Sequence, residues 1–177
     1  MSPTAHVFGY GSLATLGAPA ELHEFERSWG VAMDNTRDLP GYKHYLLPSG
    51  ERPALFVAFL DIAQRAGGVV NGVCTPVDER TLALLDLRER NYARVDVTPH
   101  VGAPPAARGR VWAYVGSTAG RERLHTGRAR GTAVVERAYL ELVRAAFAAL
   151  GPEEAARAAP SLDPGDLPVR DLRRIDH

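Results

Sequence analysis

Glu89 is the side chain in this sequence best placed to move protons. It closes the run Leu82-Ala83-Leu84-Leu85-Asp86-Leu87-Arg88-Glu89 and is followed by Arg90-Asn91-Tyr92-Ala93-Arg94. A helix is expected from Asp78 to about Arg90, with Asp78 as its cap and Glu79 favourably placed in its first turn. On a 3.6-residue period Leu82, Leu85 and Glu89 lie near one line, so the carboxylate can follow two leucines into apolar surroundings. Desolvation there disfavours the anion and raises the pKa, towards the range in which one group can take and return a proton near neutrality. The competing reading, which the residues by themselves favour, is an ordinary ion pair of Glu89 with Arg94, Arg90 or Arg88. Asp86 is its local competitor for an acid–base role.

A second stretch could hold what such a group acts on. Ala5 to Phe8 reads as a first strand, and it breaks into Gly9-Tyr10-Gly11-Ser12-Leu13. Two glycines around one aromatic residue let the backbone turn sharply and be approached closely. Successive N–H groups in such a turn point into one concavity, a seat for a small anion such as a carboxylate or phosphate. A plain tight turn is the competing reading. Gly9, Gly11 and Ala14 also fit a dinucleotide-binding fingerprint with Asp34 at a suitable distance. That fold needs a helix just where Gly17 and Pro19 fall, so it is set aside.

Composition excludes several classes. The chain has 177 residues, enough for one domain with a full core. Lys+Arg and Asp+Glu both number 21, which gives no reason to expect nucleic acid or an anionic membrane as partner. Nothing is long and apolar enough to span a membrane, and the N-terminus lacks the basic region and apolar core of a secretion signal. A single cysteine, Cys74, precludes an internal disulfide and fits a cytoplasmic protein. It is read as a small buried hydrophobe. The six histidines are not at metal-ligand spacing, so no metal is expected. Ser12 is not in the G-x-S-x-G setting of a hydrolase nucleophile. Arg121, Arg123, Arg128 and Arg130 form either a solvated surface or a seat for a phosphate or acidic partner.

The elements that must position these groups follow in order. Leu16 to Arg27 is expected as loop with a short helix over Ala20–Glu26, then strands over Trp29–Met33, Tyr42–Leu47 and Ala54–Ile62. Gly67-Gly68 is read as a break before a strand over Val69–Val77. Asn71-Gly72 within that strand marks a hairpin, a bulge or a close backbone approach. Strands are expected over Tyr92–His100 and Arg110–Val115, separated by the loop GAPPAARG. Gly116–Gly131 is expected as a surface loop, and Ala133–Leu150 as a helix with a stripe of Val135, Tyr139, Leu142, Ala146 and Leu150. Gly151-Pro152 stops that helix, and a short one follows over Glu153–Ala158. The whole chain, 1–177, reads as a single domain with an extended or mobile tail from about 160. Strands with one helix between them and one near the end argue for the α+β class with a mixed or closed sheet.

Together FGYGSL near the N-terminus and LDLRERNYARVDV in mid-chain resemble the gamma-glutamylcyclotransferase superfamily, which includes the AIG2-like and ChaC-like proteins. Its Y-G-[ST]-x loop is matched by Tyr10-Gly11-Ser12-Leu13, and its E-x-x-Y-x-R pattern by Glu89, Tyr92 and Arg94. Weaker matches are Leu39-Pro40-Gly41-Tyr42, the apolar strand holding Gly72, and VWAYV with Tyr114. The resemblance covers about residues 5–116. It implies a small mixed β-barrel with peripheral helices and a cofactor-free reaction on a small γ-glutamyl substrate. In that reaction the γ-glutamyl α-amine attacks its own γ-amide carbonyl, releasing 5-oxoproline and a free amine. It also implies Glu89 as the catalytic residue and Tyr10, Gly11, Ser12, Leu13 and Tyr114 as substrate-binding residues. Tyr10 and Tyr114 stay open between pocket wall and core, and Tyr92 is read as a core tyrosine. A non-catalytic small-ligand binder or regulatory protein on the same fold is the alternative, since function belongs to the site.

Overall fold

The computed structural model describes residues 5–102 and 109–177. Most of the expected loop GAPPAARG, residues 103–108, lies outside the described residues. The architecture is built around one long strand. The run Phe56–Val77 (β4) has six consecutive buried residues from Val57 to Ile62 and a second buried block from Val70 to Cys74. Such continuous burial, broken in sequence only by the buried polar residues Asp61 and Asn71 and by Gly72, suits a strand covered on both faces. Ala18–Asp34 (β2) runs antiparallel along nearly all of it, from Ala18↔Cys74 to Asp34↔Phe56. On the other side of β4, Ala5–Gly9 (β1) pairs antiparallel with its C-terminal part, Phe8 opposite Cys74. Ala133–Glu136 (β7) pairs parallel with its N-terminal part.

Numbering in chain order, His44–Leu46 is β3, Glu79–Arg88 is α1, Tyr92–Asp96 is β5 and Val111–Gly116 is β6. Thr118–Ala129 is α2, Arg137–Ala149 is α3, Pro152–Leu162 is α4, Val169–Arg170 is β8 and Arg173–Ile175 is β9. The main sheet has the order β5-β6-β1-β4-β7-β8, with β2 also on β4. Parallel pairs β1·β6, β4·β7 and β7·β8 stand beside antiparallel ones, so the sheet is mixed. With the helices on its outside, this is the expected α+β class. Fully buried Phe8, Leu22, Ile62, Val73, Val135 and Phe147 form the main core. Among the described residues no helix is long and apolar enough to cross a membrane.

Four local expectations are corrected. Ala20–Glu26 is strand, not helix: it buries Leu22 before the register shift and Phe25 after it, with Arg27 next on the inward side, and pairing with a long neighbour outweighs local preference. Gly67-Gly68 does not end a strand. It lies in a bulge of β4, where the register shifts between His23 and Phe25 and Gly67 takes φ +73°. The stretch 116–131 is not a loop: Thr118–Ala129 within it is the helix α2, capped by the Ser117 hydroxyl accepting from the Gly120 N–H at 3.0 Å. Finally, 133–150 is not one helix. The β-branched run Val134-Val135 joins the sheet as β7, α3 starts at Arg137, and its buried face is Leu140, Val143, Ala146 and Phe147. Of the expected stripe, Leu142 is 48% exposed and Tyr139 only partly buried. The tail from residue 160 finishes α4 and then forms β8 and β9, which pair with β7 and β3.

Candidate active site

The chain at the end of β1 is forced into its turn by close contacts. A Cβ on Gly9 would collide with the carbonyl of Leu13, and one on Gly72 would collide with the carbonyl of Gly9. Glycines at both positions let β4 and the turn approach backbone to backbone, the third of the readings of Asn71-Gly72. A single turn of 3-10 helix, Ser12–Thr15, follows. The Ala14 N–H donates to the Gly11 carbonyl at 2.9 Å. Among the described residues the N–H groups of Gly11, Ser12 and Leu13 find no backbone acceptor.

Arg27, on β2, fixes this turn from below and was not singled out in the sequence. It is 7% exposed, and its guanidinium donates to the Tyr10 carbonyl at 3.1 Å, the Asn71 carbonyl at 2.9 Å and Asn71 Oδ1 at 2.9 Å. Its Nε donates to Ser161 Oγ at 2.9 Å, and its plane covers the Phe147 ring at 4.6 Å. Burial pulls its pKa down to about 10, so it stays charged at neutrality. The only sequence signal was an arginine at an inward position of an alternating pattern, invisible once that stretch is read as loop.

Helix α1 delivers the carboxylate. Asp78 Oδ1 accepts from the Thr81 N–H at 2.7 Å, as expected of the cap. Leu82 is buried and Leu85 partly so, whereas Leu84 and Leu87 are 58% and 65% exposed. The helix thus buries the line that ends in Glu89. Glu89 is the C-cap, its N–H still donating to the Leu85 carbonyl at 2.8 Å, and its side chain is only 13% exposed. Burial raises its pKa above the usual carboxylate value, opposed by the positive charges of Arg88, Lys43 and Arg174. Its one ion-pair contact among the described residues is Arg88 Nε at 3.3 Å. Arg94 pairs instead with Asp86 at 3.1 Å, so the competing carboxylate already has a partner.

Two connected spaces meet at Glu89. An inner crevice of about 30 Å³, room for a water-sized group, is lined by the turn Gly9–Leu13 together with Leu60, Glu89, Tyr92, Tyr114 and Tyr139. An outer vestibule of about 400 Å³ is walled by Tyr42, Lys43, Phe59, Arg88, Arg90, Leu142 and Arg174, among others. Ser12, Glu89, Tyr92 and Tyr139 border both. The structure therefore brings Glu89 together with Tyr10, Gly11, Ser12, Leu13 and Tyr114, although about 75 residues of sequence separate the two motifs.

The tyrosines divide by their hydroxyls. Tyr10 donates to the Tyr114 carbonyl at 2.5 Å and Tyr92 to the Leu60 carbonyl at 2.6 Å. Tyr114 lines the crevice, but its hydroxyl donates to Asp86 Oδ1 at 2.8 Å. Tyr139, part of the expected core stripe, instead faces the site. Its hydroxyl would stand 3.1 Å from a Cβ at Gly11, and burial raises its pKa. Tyr42, from the Leu-Pro-Gly-Tyr stretch, accepts from Asn91 Nδ2 at 3.0 Å and is pushed up to about 12, mainly by burial. All these phenols are neutral near pH 7, so the ionisable groups at the junction are Glu89 and the cations around it. The Arg-rich stretch belongs largely to the scaffold. Arg121 pairs with buried Asp61 at 2.9 Å, Arg123 bonds the Ala32 carbonyl and Asn91, and Arg128 pairs with Asp166. Cys74 is buried, its thiol pushed up to about 11, in keeping with an inert core residue.

A family model described as gamma-glutamyl cyclotransferase, AIG2-like, matches residues 7–131, and the chain belongs to this family. No curated protein matches the sequence. Solved structures share the fold at low identity. One titled gamma-glutamyl cyclotransferase is 14% identical with a TM-score of 0.56, covering 92% of this chain and 90% of its own. The uncharacterized protein loc79017 from Homo sapiens is 14% identical with a TM-score of 0.59, covering 96% and 94%. YkqA from Bacillus subtilis is 13% identical with a TM-score of 0.57, covering 94% of this chain and 56% of that one.

Proposed function

We propose that this protein is a γ-glutamyl cyclotransferase that needs no cofactor, with Glu89 as its general base and acid. The observation that carries the reading is the placement of Glu89: a largely buried carboxylate at the junction of a crevice under the Gly9–Leu13 turn and a larger vestibule. The substrate α-carboxylate sits under the turn, held by the N–H groups of Gly11, Ser12 and Leu13 and the partial positive charge they share. The γ-amide then lies beside Glu89, and the leaving amine points into the vestibule.

The chemistry runs through one proton carrier. Glu89 takes a proton from the α-ammonium, and the freed amine nitrogen bonds to the γ-carbonyl carbon. The tetrahedral centre collapses with loss of the amide C–N bond, the departing nitrogen receives the proton from Glu89, and the second proton of the new ring nitrogen follows by the same carboxylate, so that the amine leaves as an ammonium. Products are 5-oxoproline and a free amine, with no net proton change at the enzyme. A carboxylate of raised pKa serves both halves better than an ordinary one, being a stronger base first and ready to return the proton afterwards. Holding the chain folded for five-membered ring closure lowers the barrier further.

Incubation with γ-glutamyl amino acids, peptides and amides, with 5-oxoproline read by mass spectrometry, tests the proposal. Glu89→Gln should lower kcat on the order of 10³-fold while the fold and ligand affinity persist. A Gln variant with near-wild-type turnover would remove Glu89 from the mechanism. Binding without 5-oxoproline release by the wild type would place the protein among non-catalytic binders.

A further inference from the structure

Lys43 is the only lysine in a chain with 21 lysines and arginines, and it stands in the vestibule wall. Its ammonium lies over the Phe59 ring at 4.2 Å and near the Tyr42 ring at 5.7 Å. Among the described residues it has no carboxylate in salt-bridge contact and no hydrogen-bond acceptor. The other vestibule cations are engaged. Arg174 pairs with Asp176 at 2.7 Å, Arg88 with Glu89 at 3.3 Å, and Arg90 donates to the carbonyls of Leu87 at 3.0 Å and Pro40 at 3.1 Å.

A desolvated ammonium without an anion is costly. Its pKa is accordingly brought down to about 8, by burial first and then by Arg174, with Glu89 pulling the other way and Arg88 and Glu136 adding smaller opposed effects. A carboxylate arriving beside it would relieve that cost, forming a charge-assisted contact flanked by an aromatic face. Lys43 lines the vestibule but not the inner crevice, so it stands on the side where the leaving amine departs.

We propose that Lys43 determines substrate preference by receiving a carboxylate carried on the leaving amine, so that γ-glutamyl amino acids or γ-glutamyl peptides are used in preference to their uncharged counterparts. This rests on the cyclotransferase reading above.

The test uses matched pairs: γ-glutamyl-alanine against γ-glutamyl-alaninamide, and γ-glutamyl-alanyl-glycine against its C-terminal amide. kcat/KM is measured for the wild-type protein, Lys43→Met and Lys43→Arg. The wild type should favour the acid of at least one pair by roughly tenfold to a hundredfold, the scale of one charge-assisted contact. The pair showing the larger ratio tells an amino acid from a peptide leaving group. In Lys43→Met the ratio should fall to near one whatever its absolute rate, while Lys43→Arg keeps a preference for the acid. Equal use of acid and amide by the wild type overturns the proposal, as does an undiminished ratio in Lys43→Met. Loss of the ratio in both variants alike would mark Lys43 as a packing residue and also overturn it.

Calorimetric binding of the same pairs separates this from the reaction itself. If nothing is turned over, the cyclotransferase reading fails. Tighter binding of the acid, abolished in Lys43→Met, would then still support the role of Lys43. Equal or undetectable binding of both would overturn it.

Discussion

A carboxylate that must act as a base has to be ionised, and burial of Glu89 makes that harder. The acid limb of kcat/KM should therefore lie above the ordinary carboxylate pKa, and a pH–rate profile of the wild type reads it directly. Arg88 is the foremost positive charge opposing that shift. Arg88→Met should move the limb to higher pH, and a profile left in place would mean that Arg88 does not act on Glu89. The same burial has a consequence for stability. The folded pKa of Glu89 lies above its unfolded value, so its stabilising contribution is fully present below the unfolded pKa and is lost as pH rises through the folded one. At neutral pH the ionised side chain burdens the fold, which is a common feature of reactive sites. Glu89→Gln should thus melt a few degrees higher than the wild type at pH 7–8, on the order of 2–5 °C, and the gap should close towards pH 4. Thermal melts across that range check it, and equal Tm values at pH 8 would count against a desolvated carboxylate.

At the level of elements, the site depends on contacts that local sequence does not advertise. β2 runs along nearly all of β4 and brings Arg27 to the Tyr10 carbonyl. Arg27→Met would leave the carbonyls of Tyr10 and Asn71 without their buried donor, at a cost of about 2–4 kcal/mol. Urea unfolding measures this, and a loss under 0.5 kcal/mol, as at an ordinary surface position, would show that the turn is held by other means. Helix α2 is anchored by its cap, so Ser117→Ala should cost about 1 kcal/mol in the same assay. It should spare kcat, because neither α2 nor its cap borders the crevice or vestibule. The leucines of α1 show how far periodicity carries. The line Leu82–Leu85–Glu89 is legible at 3.6 residues per turn, and the exposure of Leu84 and Leu87 agrees with it. The stripe expected further on was not legible, because Val134-Val135 satisfies a helical spacing on paper and a parallel place beside β4 in space.

For the molecule as a whole, the last segment closes the vestibule. β9 pairs with β3, and Arg174 and Asp176 form part of the wall opposite Glu89. Truncation after residue 170 would remove that wall and uncover Tyr45, which is 1% exposed. KM for γ-glutamyl substrates should rise several-fold, with a smaller effect on kcat because the turn and Glu89 stay in place. Steady-state kinetics of the truncated chain decides this, and an unchanged KM would mean that the tail takes no part in binding.

By itself the sequence determined the parts whose signals are local. The broken first strand with its Gly-Tyr-Gly-Ser turn, the capped helix leading to Glu89, the apolar core of β4 and the α+β class all follow from turn chemistry, capping and periodicity, which act over a few residues. Only the tertiary structure decided what those parts meet. Strand pairing turned 18–27 into β2, and a sheet position split 133–150 into strand and helix. Long-range packing brought Tyr139, Tyr42, Lys43 and Arg174 around a carboxylate far from each of them in the chain. Burial and charge at Glu89 and Lys43 are likewise sums over neighbours from several elements, and no single stretch of sequence contains them.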